Sequence, residues 1–141
     1  MEQSITYREM VVSDHPALRS LWEATPGLTI RKADSLDGFT AFLKHNPGFS
    51  YTAISNGDVV GGILGGYDGR FGSIHHLVVQ LELRNQGVGR HLVKLCLAHM
   101  EQVGIEKCHL FINRDNSGGL KFWENQDWVE RVDLVMASYT F

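Results

Sequence analysis

The run Leu83-Arg84-Asn85-Gln86-Gly87-Val88-Gly89-Arg90-His91-Leu92 holds the residues whose types and spacing speak most directly of chemistry. It contains Arg-x-x-Gly-x-Gly, placed where an apolar strand (Ile74 to Val79) gives way to a long amphipathic helix. Glycines at a helix start let the backbone approach a ligand closely, with no Cβ in the way. The unpaired N–H groups of the first turn point outward at the positive end of the helix dipole. That arrangement binds phosphate, and Arg84 and Arg90 add charge and donors. The run lacks the third glycine of a dinucleotide fingerprint, and no Gly-Lys-Ser/Thr follows to make a P-loop. Taken alone it is also compatible with a ligand-free glycine cap.

A second group of chemically capable residues precedes it. His75 and His76 are adjacent on the strand, and Tyr67 lies in a glycine-rich stretch before them. A histidine with an ordinary pKa near ~6.5 is mostly neutral at pH 7 and suits proton transfer. Neighbouring strand residues point to opposite faces, so the two rings are not expected to share one site or chelate one metal. No metal is expected. Cys96 and Cys108 sit in apolar surroundings and read as free buried thiols.

At 141 residues the chain reads as one domain over 1–141, long enough to bury a core without disulfides or metals. The formal net charge of −3 and the scattered basic residues argue against nucleic-acid binding, though one small anion still has partners. Met1-Glu2-Gln3-Ser4 has neither a basic nor an apolar leader region, and no apolar run approaches a membrane span. A cytoplasmic location is expected.

The elements that must position these residues follow from periodicity and punctuation. Ile5 to Met10 reads as a strand. Ser13 and Asp14 are helix-cap candidates before Pro16, with Leu18, Leu21 and Trp22 on one side of the helix that Thr25-Pro26-Gly27 ends. Ser35 opens a second helix with Leu36, Phe39 and Leu43 as its stripe, stopped at Asn46-Pro47-Gly48. Ser50 to Ile54 and Asp58 to Leu64 form a hairpin across Asn56-Gly57. A turn at Gly65-Gly66-Tyr67-Asp68-Gly69 then leads into Ser73 to Val79. Val88, Leu92, Leu95, Cys96, His99 and Val103 recur at helical spacing, and Gly104 terminates that helix. Cys108 to Ile112 reads as a strand, Ser117 to Asn125 as a short helix, and Trp128 to Phe141 as one or two closing strands. The order is β-α-α-β-β-β-α-β-α-β(-β).

That order, with the glycine motif between the fourth strand and the third helix, resembles the GNAT superfamily of acyl-CoA-dependent N-acetyltransferases. The likeness is strongest from Ser73 to Trp128, and Asn113-Arg114-Asp115-Asn116 supplies a second match before the short helix. The hairpin Gly65-Gly66-Tyr67-Asp68-Gly69 and the pair Phe122-Trp123 suggest a small bacterial branch. The resemblance implies an α/β (α+β) fold, a mixed and mostly antiparallel central sheet with helices on both faces. It implies acetyl-CoA as co-substrate and an amine acceptor, a small molecule or a peptide, joined in a ternary complex. A homodimer is compatible with it. In similar proteins the fourth and fifth strands splay and the pantetheine arm lies in the gap. Backbone groups of Leu77, Val78 and Val79 would run along that arm. The amides of Asn85, Gln86, Gly87, Val88, Gly89 and Arg90, beside Arg84, would hold the pyrophosphate. Asn116 would contact the arm or serve as a helix cap. The N–H of Val79 would stabilise the charge that develops on the carbonyl oxygen.

The departures are equally specific. The position where many relatives carry a tyrosine acid is Trp123, whose indole N–H cannot usefully give up its proton. A water, Tyr67 or no acid at all must then serve, and Trp123 would pack on the arm, shape the acceptor pocket or belong to a core. Phe111 stands where some relatives have a basic glutamate, and Asp127-Trp128 where a glycine-aromatic pair is usual. For the base, His75 is preferred over His76, with Asp68 a weaker option and a satisfied structural histidine the alternative. The acceptor pocket would be framed by Thr25 to Lys32 and the Tyr67 hairpin, lined by Trp22, Leu28, Arg31 and Phe39. A non-catalytic acyl-CoA-binding module and a protein N-terminal acetyltransferase are the other readings.

Overall fold

Asn56 and Gly57 both take positive φ (53° and 81°), the backbone a type I′ turn requires. The hairpin they close is the centre of a five-stranded sheet. A computed structural model describes residues 4–141. Met1–Gln3, which entered the reading of the leader region, lie outside the described residues. The strands are β1 (Ile5–Glu9), β2 (Tyr51–Ser55), β3 (Asp58–Tyr67), β4 (Gly72–Val79) and β5 (Cys108–His109). They lie in the order β1-β2-β3-β4-β5, antiparallel except that β4 and β5 run parallel. The helices are α1 (His15–Glu23), α2 (Leu36–His45), α3 (Val88–Gln102) and α4 (Ser117–Glu124). The described residues fall into two compact units, one ending at Phe111 and one spanning Ile112–Phe141.

In the first unit the helices cover both faces of the sheet. A Cβ built on Gly61 would approach Leu92 of α3 at 3.5 Å, whereas one on Gly62 would meet Leu18 of α1 at 2.6 Å. Successive strand residues face opposite ways, so α1 and α3 lie on opposite sides. The α1/α2 side holds a core of Met10, Leu18, Trp22, Phe39, Leu64 and Val78. Ser35 caps α2 as expected, its hydroxyl accepting from the Gly38 N–H at 3.2 Å. Asp14 makes no cap bond to α1. Its carboxylate accepts instead from both Arg8 guanidinium nitrogens (2.8 and 2.7 Å), the Val11 N–H (2.9 Å) and the Thr52 hydroxyl (3.1 Å).

Three expectations about elements are corrected. Gly65 and Gly66 belong to β3 rather than to a turn, and the turn is confined to 68–71, where Asp68 Oδ1 accepts from the Arg70 and Phe71 N–H groups. Glycine is needed at 65 for close approach: a Cβ there would fall 2.3 Å from the Phe49 carbonyl oxygen. The strand read over Cys108 to Ile112 is only Cys108–His109. Residues 128–141 form no strand. Val132, Leu134 and Met136 alternate as in a strand yet stay exposed (87%, 60% and 65%). Alternation reports fitness for a pleated surface, and a strand also needs a partner edge for its ladder bonds.

The alternation along β4 is itself broken. Leu64 pairs with His75 and Gly62 with Val78, so Ile63 alone on β3 opposes both His76 and Leu77. His76 takes φ +45°, a left-handed conformation uncommon for a residue with a Cβ. This bulge reverses the phase of the strand. Before it, Gly72 faces Met100 of α3 while His75 faces Phe42 of α2. After it, Val78 enters the α1/α2 core, where an unbroken strand would have turned it toward α3.

Candidate functional site

The parallel ladder between β4 and β5 is two residues long, Gly72 with Cys108 and Ser73 with His109. Because β5 ends at His109, the edge of β4 that faces away from β3 has no ladder partner from Ile74 onward among the described residues. The Gln80 N–H donates to Val60 O at 2.8 Å. Ladder bonds alternate along an antiparallel pair, so the neighbouring Val79 directs its N–H and C=O to the opposite, open edge. There the Val79 carbonyl accepts from Arg84 Nε at 2.9 Å. Leu77 and Val79 are half-buried, whereas the Val78 side chain is sealed in the core and offers only backbone.

Beyond Val79 the chain makes a 3₁₀ turn (Leu81–Leu83) and reaches the start of α3. Asn85 (φ +64°) and Gly87 (φ +85°) reverse the backbone, and Gly87 caps the helix. The first helical bond runs from the His91 N–H to Gly87 O at 3.0 Å, so the N–H groups of Val88, Gly89 and Arg90 precede the helical ladder. Buried Val88 anchors the turn, while Asn85, Gln86, Gly87 and Arg90 are exposed. The Gln86 side chain donates to Glu82 O at 3.1 Å. A Cβ on Gly87 would find no atom within 4 Å, so a side chain there would project into open space. Arg84 is engaged as a strut between strand and loop through its Nε, a role its expected phosphate contact did not include.

His75 and His76 do not face opposite sides, contrary to the alternation expected of them. The bulge places both on the α1/α2 side, with different partners. His75 lies edge-on to Phe42 (6.0 Å between centroids), its Nε2 is 3.1 Å from Ser73 Oγ, and burial, with the neighbouring His76 second, pushes its pKa down. His76 lies 5.2 Å from the Trp22 ring, and its Nε2 meets Asp34 Oδ1 at 2.9 Å. The other Asp34 oxygen accepts from the Arg31 N–H at 2.9 Å, and its backbone carbonyl accepts from His15 Nε2 at 2.8 Å. Asp34 was missed by sequence reasoning, because nothing in a loop aspartate signals a partner 42 residues away.

Tyr67 is not brought to the histidines. Its hydroxyl donates to Gly69 O at 3.1 Å and its ring packs 6.1 Å from Phe49, near α3. Trp22 and Phe39, expected to line an acceptor pocket, are 1% exposed and belong to the core. Arg31 is exposed and Leu28 half-buried. An open depression of about 500 Å³ is bounded by Phe42, His45, Asn46, Tyr67, Asp68 and Ser73.

In the second unit, Asn116 caps α4, its Oδ1 accepting from the Gly119 N–H at 2.9 Å. Trp123 packs edge-on against Phe122 (5.0 Å) and Trp128 (5.1 Å). Asp127 adopts φ +67°, the conformation that glycine would supply most cheaply.

An α/β sheet whose fourth strand runs on past its short parallel partner, beside a glycine-capped helix start, defines a domain of the acyl-CoA-dependent acyltransferase type. Comparison with known proteins agrees. The model of the acetyltransferase (GNAT) family matches residues 15–128. An acetyltransferase of Pectobacterium atrosepticum is 30% identical over 122 residues, covering 86% of this chain and 85% of that protein. Among solved structures, the PaiA N-acetyltransferase of Thermoplasma acidophilum in complex with coenzyme A superposes with TM-score 0.76 at 18% identity, over 87% of this chain and 88% of that one. The aminoglycoside N-acetyltransferase AAC(6′)-Iy in complex with CoA does so with TM-score 0.79 at 15% identity, over 99% and 97%. The chain belongs to the GNAT acetyltransferase family, and it is an acetyl-CoA-dependent N-acetyltransferase. No helix of the described residues is long and apolar enough to cross a membrane.

Proposed function

We propose that the protein passes the acetyl group of acetyl-CoA to the amine of a small molecule or peptide within a ternary complex, using residues of β4 and the start of α3. The observation that carries this assignment is the early end of the β4–β5 ladder, with Val79 directing its N–H into the opening.

The residues present fit an extended pyrophosphate-bearing thioester. The N–H groups of Val88, Gly89 and Arg90, with the open turn at Asn85, Gln86 and Gly87, suit the pyrophosphate. Backbone of Leu77, Val78 and Val79 suits the amide-rich arm, bound like an added strand. Asn116 and Trp123, in the second unit, have local roles in capping and packing. Acetyl-CoA supplies an activated acyl group as a thioester. The Val79 N–H would donate to the acyl oxygen as its charge grows. An alkylamine with pKa near ~10.4 is neutral only in a fraction of about 10⁻³ at pH 7, so a proton acceptor helps. The β4 histidines supply one. The departing thiolate, with pKa near ~8.5, leaves at a cost of about 2 kcal/mol even unprotonated, which agrees with Trp123 in place of an acidic tyrosine.

Two measurements test the assignment. Isothermal titration should show acetyl-CoA binding; none at hundreds of micromolar would end it. A panel of amino sugars, amino acids and peptide N-termini should then release CoA with at least one acceptor. Binding without release from any acceptor would favour the second reading, a non-catalytic acyl-CoA-binding module, which the missing tyrosine and glutamate motivate.

A further inference from the structure

We propose that Asp34 positions His76 as the proton acceptor of this transfer, forming a carboxylate–imidazole pair across the α1/α2 side of the sheet. The inference rests on the acetyltransferase reading and adds which residue is the base and what holds it.

The pair is built from three independent features. The bulge gives His76 a left-handed backbone, a strained conformation for a residue with a Cβ, and turns its ring to the side where Asp34 lies. The 3₁₀ turn Lys32–Asp34 buries the Asp34 carboxylate to 10% exposure and fixes one oxygen on the Arg31 N–H, leaving the other for His76 Nε2. Trp22, buried in the core, sits 5.2 Å from the ring. An ionised carboxylate only accepts hydrogen bonds, so Nε2 carries the hydrogen and Nδ1 presents its lone pair. His76 keeps 21% exposure, enough for an amine to approach. The other titratable groups around the pair are His75 on β4 and His15 on α1, which donates to the Asp34 carbonyl. His75 is the poorer choice: its Nε2 faces Ser73 and its ring is packed on Phe42.

The step balances. The amine nitrogen forms its bond to the acyl carbon, the carbon–sulfur bond breaks, and the electron pair leaves with the thiolate. The proton shed by the amine passes to His76 Nδ1, and the resulting imidazolium faces the Asp34 carboxylate. Asp34 touches neither substrate, so it is a positioning residue.

The test compares wild type with Asp34→Asn, His76→Gln and the double variant. Asp34→Asn should lower kcat about 10- to 100-fold, part of the ~10²–10⁴ that a positioned base contributes, with KM for acetyl-CoA unchanged. His76→Gln should lower kcat at least as far as Asp34→Asn does, and adding Asp34→Asn to it should change nothing more. Imidazole nitrogen chemical shifts in alkaline solution give a readout apart from turnover: the Nε2–H tautomer in wild type, a mixture in Asp34→Asn. An unmoved tautomer, or multiplying effects in the double variant, would each overturn the assignment. Wild type that binds acetyl-CoA yet releases no CoA overturns the acetyltransferase reading itself.

Discussion

Arg84 Nε donates to the carbonyl oxygen of Val79 at 2.9 Å, tying the loop before α3 to the last residue of β4. The bond joins the strand edge that opens toward β5 to the turn that suits pyrophosphate, so both halves of the donor site share one strut. Arg84→Ala removes it. The expected cost is about 0.5–1.5 kcal/mol of stability, read from urea unfolding. Acetyl-CoA affinity should fall roughly tenfold, the equivalent of about 1.4 kcal/mol, in a calorimetric titration. Unchanged affinity would show that the two halves are held independently.

Gly87 tests the anion site more directly. Its φ of +85° makes any side chain strained, yet a Cβ would project into open space. Gly87→Ala should therefore fold with a loss of roughly 1–2 kcal/mol. Gly87→Glu should fold comparably but fail to bind acetyl-CoA, since its carboxylate would occupy phosphate space. Retained binding in Gly87→Glu would place the pyrophosphate elsewhere.

Stability should fall in two stages as the solution is acidified. Burial holds His75 below its ordinary 6.5, so the unfolded chain takes up that proton first, and stability present above about pH 6.5 declines as pH falls through the native value. Asp14 behaves as a carboxylate with a depressed pKa. Burial raises it, but the bonds from Arg8, Val11 and Thr52 outweigh burial and leave it below 3.8. Its contribution, present above about pH 3.8, is lost as pH falls through the native value. Urea midpoints across pH should show both losses. His75→Gln should remove the upper one, and Asp14→Asn should cost about 1–2 kcal/mol at neutral pH, since the Arg8 left behind is half-exposed.

Both thiols should be slow toward Ellman's reagent in the native protein. Burial pushes Cys96 and Cys108 up to about 12, which leaves almost no thiolate at pH 8. Denaturant should release two reactive thiols, matching the free cysteines of the structure. Rapid native labelling of either would contradict this burial.

Asp127→Gly should leave the fold intact and raise stability by less than about 1 kcal/mol, because the position already has φ +67° and the glycine relieves its Cβ. A thermal melt resolves the sign.

Much was decided by the sequence alone, and for local reasons. Asn56-Gly57 specifies a type I′ turn, Ser35 caps its helix, and Gly87 reverses the backbone at the start of α3; each acts within a few residues of itself. The Arg-x-x-Gly-x-Gly run and the element order were enough to indicate the family. What needed the tertiary structure is whatever depends on partners distant in the chain. Regular alternation put His75 and His76 on opposite faces, and only the mismatch with β3 at Ile63 reveals the bulge that places them together. Trp128 to Phe141 reads as one or two closing strands, but a strand exists only where another edge accepts its bonds, and residues 128–141 form none. Asp34 carries no signal in its own neighbourhood. It becomes the partner of His76 because the turn after α1 and the bulge in β4 meet over the same core, a coincidence of packing that no local pattern encodes.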